Sequence, residues 1–361
     1  MTTILFITGG ILALTALGLI YRVFSLVSVA KGDDSEKRGG LSNKVNAALF
    51  PITFILGFGA MFWYSGVASE YFLPEAASEH GVRTDNLFWI TMAVISFAFF
   101  ATNLLLFFFP FQYQFKEGKK ADYYPENHKL EIIWTIIPAI VMAVLVIFGW
   151  IEWSNITDDA PAEAVKIEIM GKQFNWQVRY PGQDGELGKY HYTKIDALNS
   201  MGVDFSDKAS YDDFMPGKLT LPKGRPVLLN IRSRDVLHSV FLPHFRLKMD
   251  AVPGMPTQFW FTPTKTTADM REELSTSGGM WDELNDKGEP RWKNFNYELA
   301  CTEICGNSHF AMKFAVEVIE ADAYDKWMAE QKPWAQSNAD YVKEKYAVDV
   351  NALGSNIYAG K

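Results

Sequence analysis

The segment Cys301-Thr302-Glu303-Ile304-Cys305-Gly306-Asn307-Ser308-His309-Phe310-Ala311-Met312 concentrates metal-binding chemistry in one short stretch. It supplies two thiols, an imidazole, a thioether and a carboxylate, a soft sulfur and nitrogen donor set that suits copper or zinc. Zinc ordinarily takes a tetrahedron of Cys and His, whereas copper electron-transfer sites combine Cys and His with a weak Met. Both cysteines of the chain lie here, and a spacing of four followed by glycine is a poor frame for a mutual disulfide. One thiolate with two histidines and a methionine makes a mononuclear blue site, but two thiolates on one loop can both bridge a pair of copper ions. Such a pair needs a second terminal imidazole. His238, in Asp235-Val236-Leu237-His238-Ser239-Val240-Phe241, is the candidate, on an expected strand. A lone histidine in such a strand is otherwise read as a satisfied core residue, and the sulfur loop weighs against that.

A rigid frame has to hold these donors. From Ala164 the sequence breaks into short β-rich segments, at 164–169, within 174–180, and at 226–231, 258–262 and 313–319, separated by Pro and Gly. That pattern predicts a Greek-key sandwich or barrel. Two polar stretches, 182–215 and 268–294, are too long for hairpin loops and read as surface insertions. The polar tail after Lys332 predicts one peripheral helix.

Ahead of this domain the chain is of a different material. Residues 2–21, 45–69, 86–115 and 132–151 carry no charge, and each run is long enough for a helix to cross about 30 Å of hydrocarbon. The first lacks the basic start and small-residue cleavage site of a signal peptide, so it is expected to remain as a span. Basic residues crowd the first loop (Arg22, Lys31, Lys37, Arg38, Lys44) and the third (Lys116, Lys119, Lys120, Lys129), while the second offers only Arg83. The positive-inside rule then turns 154–361 outward. That half holds 30 of the 42 acidic residues and 24 of the 34 basic ones. With a net charge of -8, nucleic acid is excluded as a partner, and a basic protein partner suits the outward surface. The predicted organisation is an N-terminal hairpin (1–85), a second hairpin (86–153), a β domain (154–332) and a tail (333–361).

The loop resembles the binuclear copper (CuA) motif C-x-E-x-C-G-x-x-H-x-x-M of subunit II of the haem-copper cytochrome c oxidases. Asp235-Val236-Leu237-His238, Leu247-Lys248-Met249-Asp250-Ala251-Val252-Pro253-Gly254 and Leu130-Glu131-Ile132-Ile133-Trp134-Thr135-Ile136-Ile137-Pro138 carry the likeness through 86–320, in the family's order. The resemblance implies a bacterial protein with two extra N-terminal spans and a cupredoxin-like outward domain. It further implies that Cys301 and Cys305 bridge two coppers, that His238 and His309 terminate them, that Met312 is a weak ligand and that the Glu303 carbonyl binds the second copper. The Glu303 side chain would reach a magnesium ion shared with subunit I. Electrons would pass from a cytochrome c to haem in subunit I, where O2 is reduced to water with proton translocation; subunits I and III and membrane lipid are the implied neighbours, in a bacterial inner membrane. Glu131, otherwise a solvated charge at the membrane boundary, resembles the acid at the mouth of a proton channel. Asp250 and Lys248 would face subunit I and its haem propionates, the alternative being a salt-bridged surface.

Gly171-Lys172-Gln173-Phe174-Asn175-Trp176 resembles the family's G-x-Q-W-x-W, whose first Trp commonly receives the electron. Phe174 stands there, with no indole N–H and a ring far harder to oxidise. Either Trp176 or docking beside the copper loop replaces it, or the donor is a membrane-attached cytochrome c domain. No CxxCH follows the copper domain, which excludes a fused c-type haem on this chain. Two other readings compete: a copper-bearing subunit of a nitric oxide reductase, and a non-redox scaffold of the quinol-oxidase kind, which lacks the ligands present here.

Overall fold

A computed structural model describes residues 2–30 and 40–352. Four long helices come first: α1 (Thr2–Ala30), α2 (Leu41–Ala68), α3 (Glu79–Gln112) and α4 (His128–Thr157). Each is long and apolar enough to cross a membrane. All four overlap the charge-free runs and extend past them at one end or both, since α1 runs on to Ala30, α2 starts at Leu41, α3 at Glu79 and α4 at His128. Charge marks where hydrocarbon ends, whereas helical hydrogen bonding continues into the headgroup layer. Lys31, Lys37 and Arg38 of the first loop lie outside the described residues.

By contact density the chain forms two units, 1–69 with 92–134, and 70–91 with 135–361. In the first, α2 and α3 meet through phenylalanines, with Phe62 stacked on Phe100 at 5.7 Å and Phe58 lying 5.3 Å from Phe100. Ring-on-ring packing takes over where no hydrophobic effect acts between helices in lipid.

The second unit contains the β domain. Its strands are β1 (Val165–Lys172), β2 (Asn175–Arg179), β3 (Leu219–Pro222), β4 (Val227–Ser233), β5 (His238–Leu242), β6 (Leu247–Ala251), β7 (Thr257–Phe261), β8 (Tyr297–Cys301) and β9 (Lys313–Ile319). They form a cupredoxin-like sandwich of two sheets, ordered β2-β1-β4-β7 and β3-β9-β8-β5-β6. Ile167, Ile169, Leu229 and Ile231 from the first sheet and Val240, Leu299 and Val316 from the second are fully buried in one core. Alternation along each strand supplies these inward positions.

The expected loops prove to be built structure. The 268–294 stretch overlaps α5 (Thr267–Ser277), which opens with a reciprocal Thr266–Asp269 cap and buries Met270 and Leu274. After α6 (Ala321–Ala329), the tail folds as α7 (Trp334–Ser337) and α8 (Ala339–Tyr346), two short helices where one was expected. With the 182–215 stretch they close a second core: Met201, Val203 and Phe205 pack with Ala335, Val342 and Val350, and Phe205 stacks on Trp334 at 5.0 Å.

That second core covers the outer face of β1, so Glu168, which alternation places outward, is buried. Arg179 Nε meets Glu168 at 2.5 Å, and its Nη1 meets Asp213 at 2.6 Å and donates to the Gly188 carbonyl at 2.9 Å. Arg232 completes the network on the other oxygen of Glu168. Burial pushes the Asp213 carboxyl up to about 7 against the pull of Arg179. Despite its own burial, Glu168 is held below its ordinary value by the two guanidiniums.

Candidate metal centre

Three elements build the site. Strand β5 presents His238 at its first residue, and the end of β8 presents Cys301. The loop from Thr302 to Met312 returns the chain to β9 and carries the other donors. This loop is stitched down at both ends: Thr302 N–H donates to the Ser239 carbonyl at 3.2 Å and Cys301 N–H to the Met312 carbonyl at 3.1 Å. A short 3-10 turn, His309–Ala311, sets the last two donors.

The donor atoms converge. Those of His238, Cys301 and Cys305 all lie within 4.8 Å of one another. The two Sγ atoms are 3.9 Å apart, which makes them two free thiols. His238 Nδ1 lies 3.8 Å from Cys301 Sγ, and His309 Nδ1 lies 3.5 Å from Cys305 Sγ. Met312 Sδ is 3.8 Å from Cys305 Sγ, while the Glu303 carbonyl is 3.3 Å from Cys301 Sγ. All six positions implied by the resemblance are therefore brought together by the fold. The set is soft and largely buried, with sulfur at its centre and imidazole at either end, and it fits a pair of copper ions better than one zinc. Burial, reinforced by Cys301, pushes the Cys305 thiol up to about 11, so a metal loading here displaces protons.

A surrounding shell fixes the ligands, and most of it was not singled out from the sequence. His238 Nε2 lies 2.9 Å from Asp235 Oδ1, leaving Nδ1 for metal. The Asp235 carboxyl is raised by its burial but more strongly lowered by the Gln173 N–H, the His238 ring and the Val236 N–H, and stands below its ordinary value. The turn between β1 and β2 leans on the site from the other side. A Cβ on Gly171 would stand 2.9 Å from the His238 ring, and one on Gly306, whose φ is +133°, would stand 2.8 Å from the Phe174 ring. Only glycine gives that approach at either position. The D-V-L-H and G-x-Q patterns were the available signals.

The remaining expected residues divide. Trp176 is buried, 5.9 Å from the His238 ring with its Nε1 donating to the Met312 carbonyl at 3.4 Å, so it is a wall of the site. Phe174 is 38% exposed, beside the loop, and Ile304 and Phe310 are 83% and 81% exposed on the loop itself. The Glu303 carboxylate makes no hydrogen bond or ion pair among the described residues. Lys248 and Asp250 are exposed on β6 and 3.6 Å from each other, an ion pair at the surface. Glu131 lies in the first turn of α4, where its Oε1 accepts from Asn127 N–H at 3.4 Å and its Oε2 lies 3.2 Å from His128 Nδ1.

Comparison with known proteins identifies the family. Two family models match: the transmembrane domain of cytochrome c oxidase subunit II over residues 66–150, and its periplasmic domain over 165–268. Alternative cytochrome c oxidase subunit 2 of Bradyrhizobium diazoefficiens is 33% identical over 290 residues, covering 79% of this chain and 92% of that protein. Cytochrome c oxidase subunit 2 of Thermostichus vulcanus is 26% identical over 280 residues, covering 71% and 77%. The solved periplasmic domain of subunit II of the Bradyrhizobium japonicum cytochrome oxidase is 23% identical, covers 47% of this chain and 94% of that one, and has a TM-score of 0.29.

Proposed function

The chain belongs to the cytochrome c oxidase subunit II family, and from that premise we propose that it accepts electrons from a cytochrome c at a binuclear copper centre and passes them to haem in subunit I. As a haem-copper oxidase subunit it is anchored by its four spans with the β domain on the periplasmic side. The convergence of six donors around two thiols 3.9 Å apart carries the proposal. Bound there, two coppers sharing bridging thiolates would delocalise one electron with little rearrangement. The protein's part is to hold the ligands still and dry, as the buried Trp176, the Asp235–His238 pair and the two glycines do.

The electron is taken up at the exposed Phe174, Ile304 and Phe310 beside the loop. Their apolar character suits brief contact with a cytochrome c, soluble or membrane-attached, while the acidic domain attracts its basic face. Subunits I and III in a bacterial inner membrane complete the assembly that reduces O2 to water and translocates protons. The uncommitted Glu303 carboxylate would share a magnesium ion with subunit I, and Lys248 and Asp250 would face its haem propionates.

The test is spectroscopic. The copper-loaded full-length chain in detergent is expected to show a near-infrared band and a seven-line mixed-valence EPR pattern; a single blue-copper or zinc signature overturns the reading. Glu131, at the cap of α4, is proposed as the mouth of a proton path into subunit I. In the assembled oxidase Glu131→Gln is expected to slow the reductive phase of turnover by an order of magnitude or more, within the range for losing a positioned proton-transfer group. Unchanged kinetics would leave Glu131 as a helix cap.

A further inference from the structure

The two halves of the metal centre come from separate parts of the sheet: His238 starts β5, whereas Cys305, His309 and Met312 ride on the loop after β8. Ligands shared by one centre must be held in register to within about 0.5 Å. One exposed residue on neither half touches both. Gln173, in the turn between β1 and β2, donates its side-chain Nε2–H to the Cys305 carbonyl at 2.5 Å and its backbone N–H to Asp235 Oδ2 at 2.8 Å. The other oxygen of Asp235 lies 2.9 Å from His238 Nε2. There is no slack around this link, for a Cβ on Gly306 would stand 3.0 Å from the Gln173 amide nitrogen.

We propose that Gln173 is a positioning residue of the metal centre, bracing the sulfur loop against the Asp235–His238 pair; this rests on the copper reading above. Two consequences follow from its chemistry. The side-chain amide fixes the Cys305 carbonyl, which accepts no other side-chain hydrogen bond among the described residues. An N–H donated to the backbone of Cys305 also withdraws negative charge beside the centre, which favours its electron-rich, reduced form. Because Gln173 neighbours Phe174 on the exposed turn, a partner pressing on that turn acts on the loop through this amide as well as through the Phe174 ring against Gly306.

Q173L keeps the volume and the backbone donor to Asp235 but removes the amide, and Q173N shortens it by one methylene. In the full-length chain, Q173L is expected to lose copper to a chelator about 10- to 100-fold more readily, the range for removing a supporting group outside the metal's own ligands. Its EPR hyperfine splitting should change and its reduction potential fall, with Q173N between Q173L and the parent. Without metal, amide exchange over Gly306–Met312 should speed up at least several-fold while the thermal midpoint of the domain holds. Q173L with the parent's chelator resistance, hyperfine splitting and potential overturns the proposal. If the parent chain itself shows no mixed-valence signature, the copper reading fails; metal-free exchange still judges the brace, and equal exchange in Q173L and parent rejects it.

Discussion

Cys305→Ser is expected to abolish the mixed-valence signature and cut bound copper from two ions to one or none per chain. Cys305 Sγ stands 3.9 Å from Cys301 Sγ, 3.5 Å from His309 Nδ1 and 3.8 Å from Met312 Sδ, and so would help to hold both coppers of the proposed pair. A serine hydroxyl has the right size but does not ionise as a thiol does, and cannot bridge soft metals. The fold should survive, since the new hydroxyl can bond His309 across the same gap. Copper analysis, EPR and a thermal melt of the full-length variant check this together. Persistence of the seven-line pattern in C305S would refute the bridge. The same geometry sets a pH trend: with the Cys305 thiol raised to about 11, protons compete for it, and copper affinity should rise as pH rises.

The second large effect concerns the buried ionic network. Arg179→Met is expected to cost about 3–5 kcal/mol, the penalty for breaking a buried ion pair and leaving uncompensated charge. Arg179 is 1% exposed and serves both Glu168 and Asp213, so Asp213 loses its guanidinium outright and Glu168 keeps only Arg232. For a domain of this size that corresponds to a fall in melting temperature of roughly 6–20 °C. The sign of the pH dependence follows. Without Arg179 the Asp213 carboxyl, already pushed up by burial, titrates higher still in the folded domain, so the deficit is largest at alkaline pH and shrinks as falling pH protonates it. Urea unfolding of R179M and parent at about pH 5 and pH 8, on either side of that titration, measures it; a difference below about 1 kcal/mol at the higher pH, the scale of an exposed pair, would show that water reaches the network.

The sequence carried the candidate donors because metal chemistry writes itself locally: Cys301, Cys305, His309 and Met312 fall within one loop, and the need for a second imidazole singled out His238. The four spans were equally plain, since a lipid interior admits no charge. What remained hidden depends on which residues meet in space. Gly171 reads as a strand glycine until the His238 ring is found against it. Asp235 sat within a noted motif, yet its role as the link between His238 and Gln173 needs the turn between β1 and β2 folded over the loop. Alternation alone puts Glu168 outward because it assumes one solvated face, and the second core removes that solvent. That core escaped notice because Met201, Val203 and Phe205 show no regular period and their partners lie far along the chain.

The pairing of Phe205 with Trp334 carries a consequence for how the protein is made. The layer over β1 opens with residues that reach the periplasm early and is finished by α7 and α8, the later-arriving pieces of the same layer. Until Trp334 and Val342 have been translocated, Met201, Val203 and Phe205 lack the partners that bury them. The sandwich can form its sheets during synthesis, but sealing of this flank waits for the downstream segment. Premature termination anywhere between β9 and Trp334 would deliver a copper loop on a domain left unsealed along one side, a form that surveillance proteases can tell from the finished one.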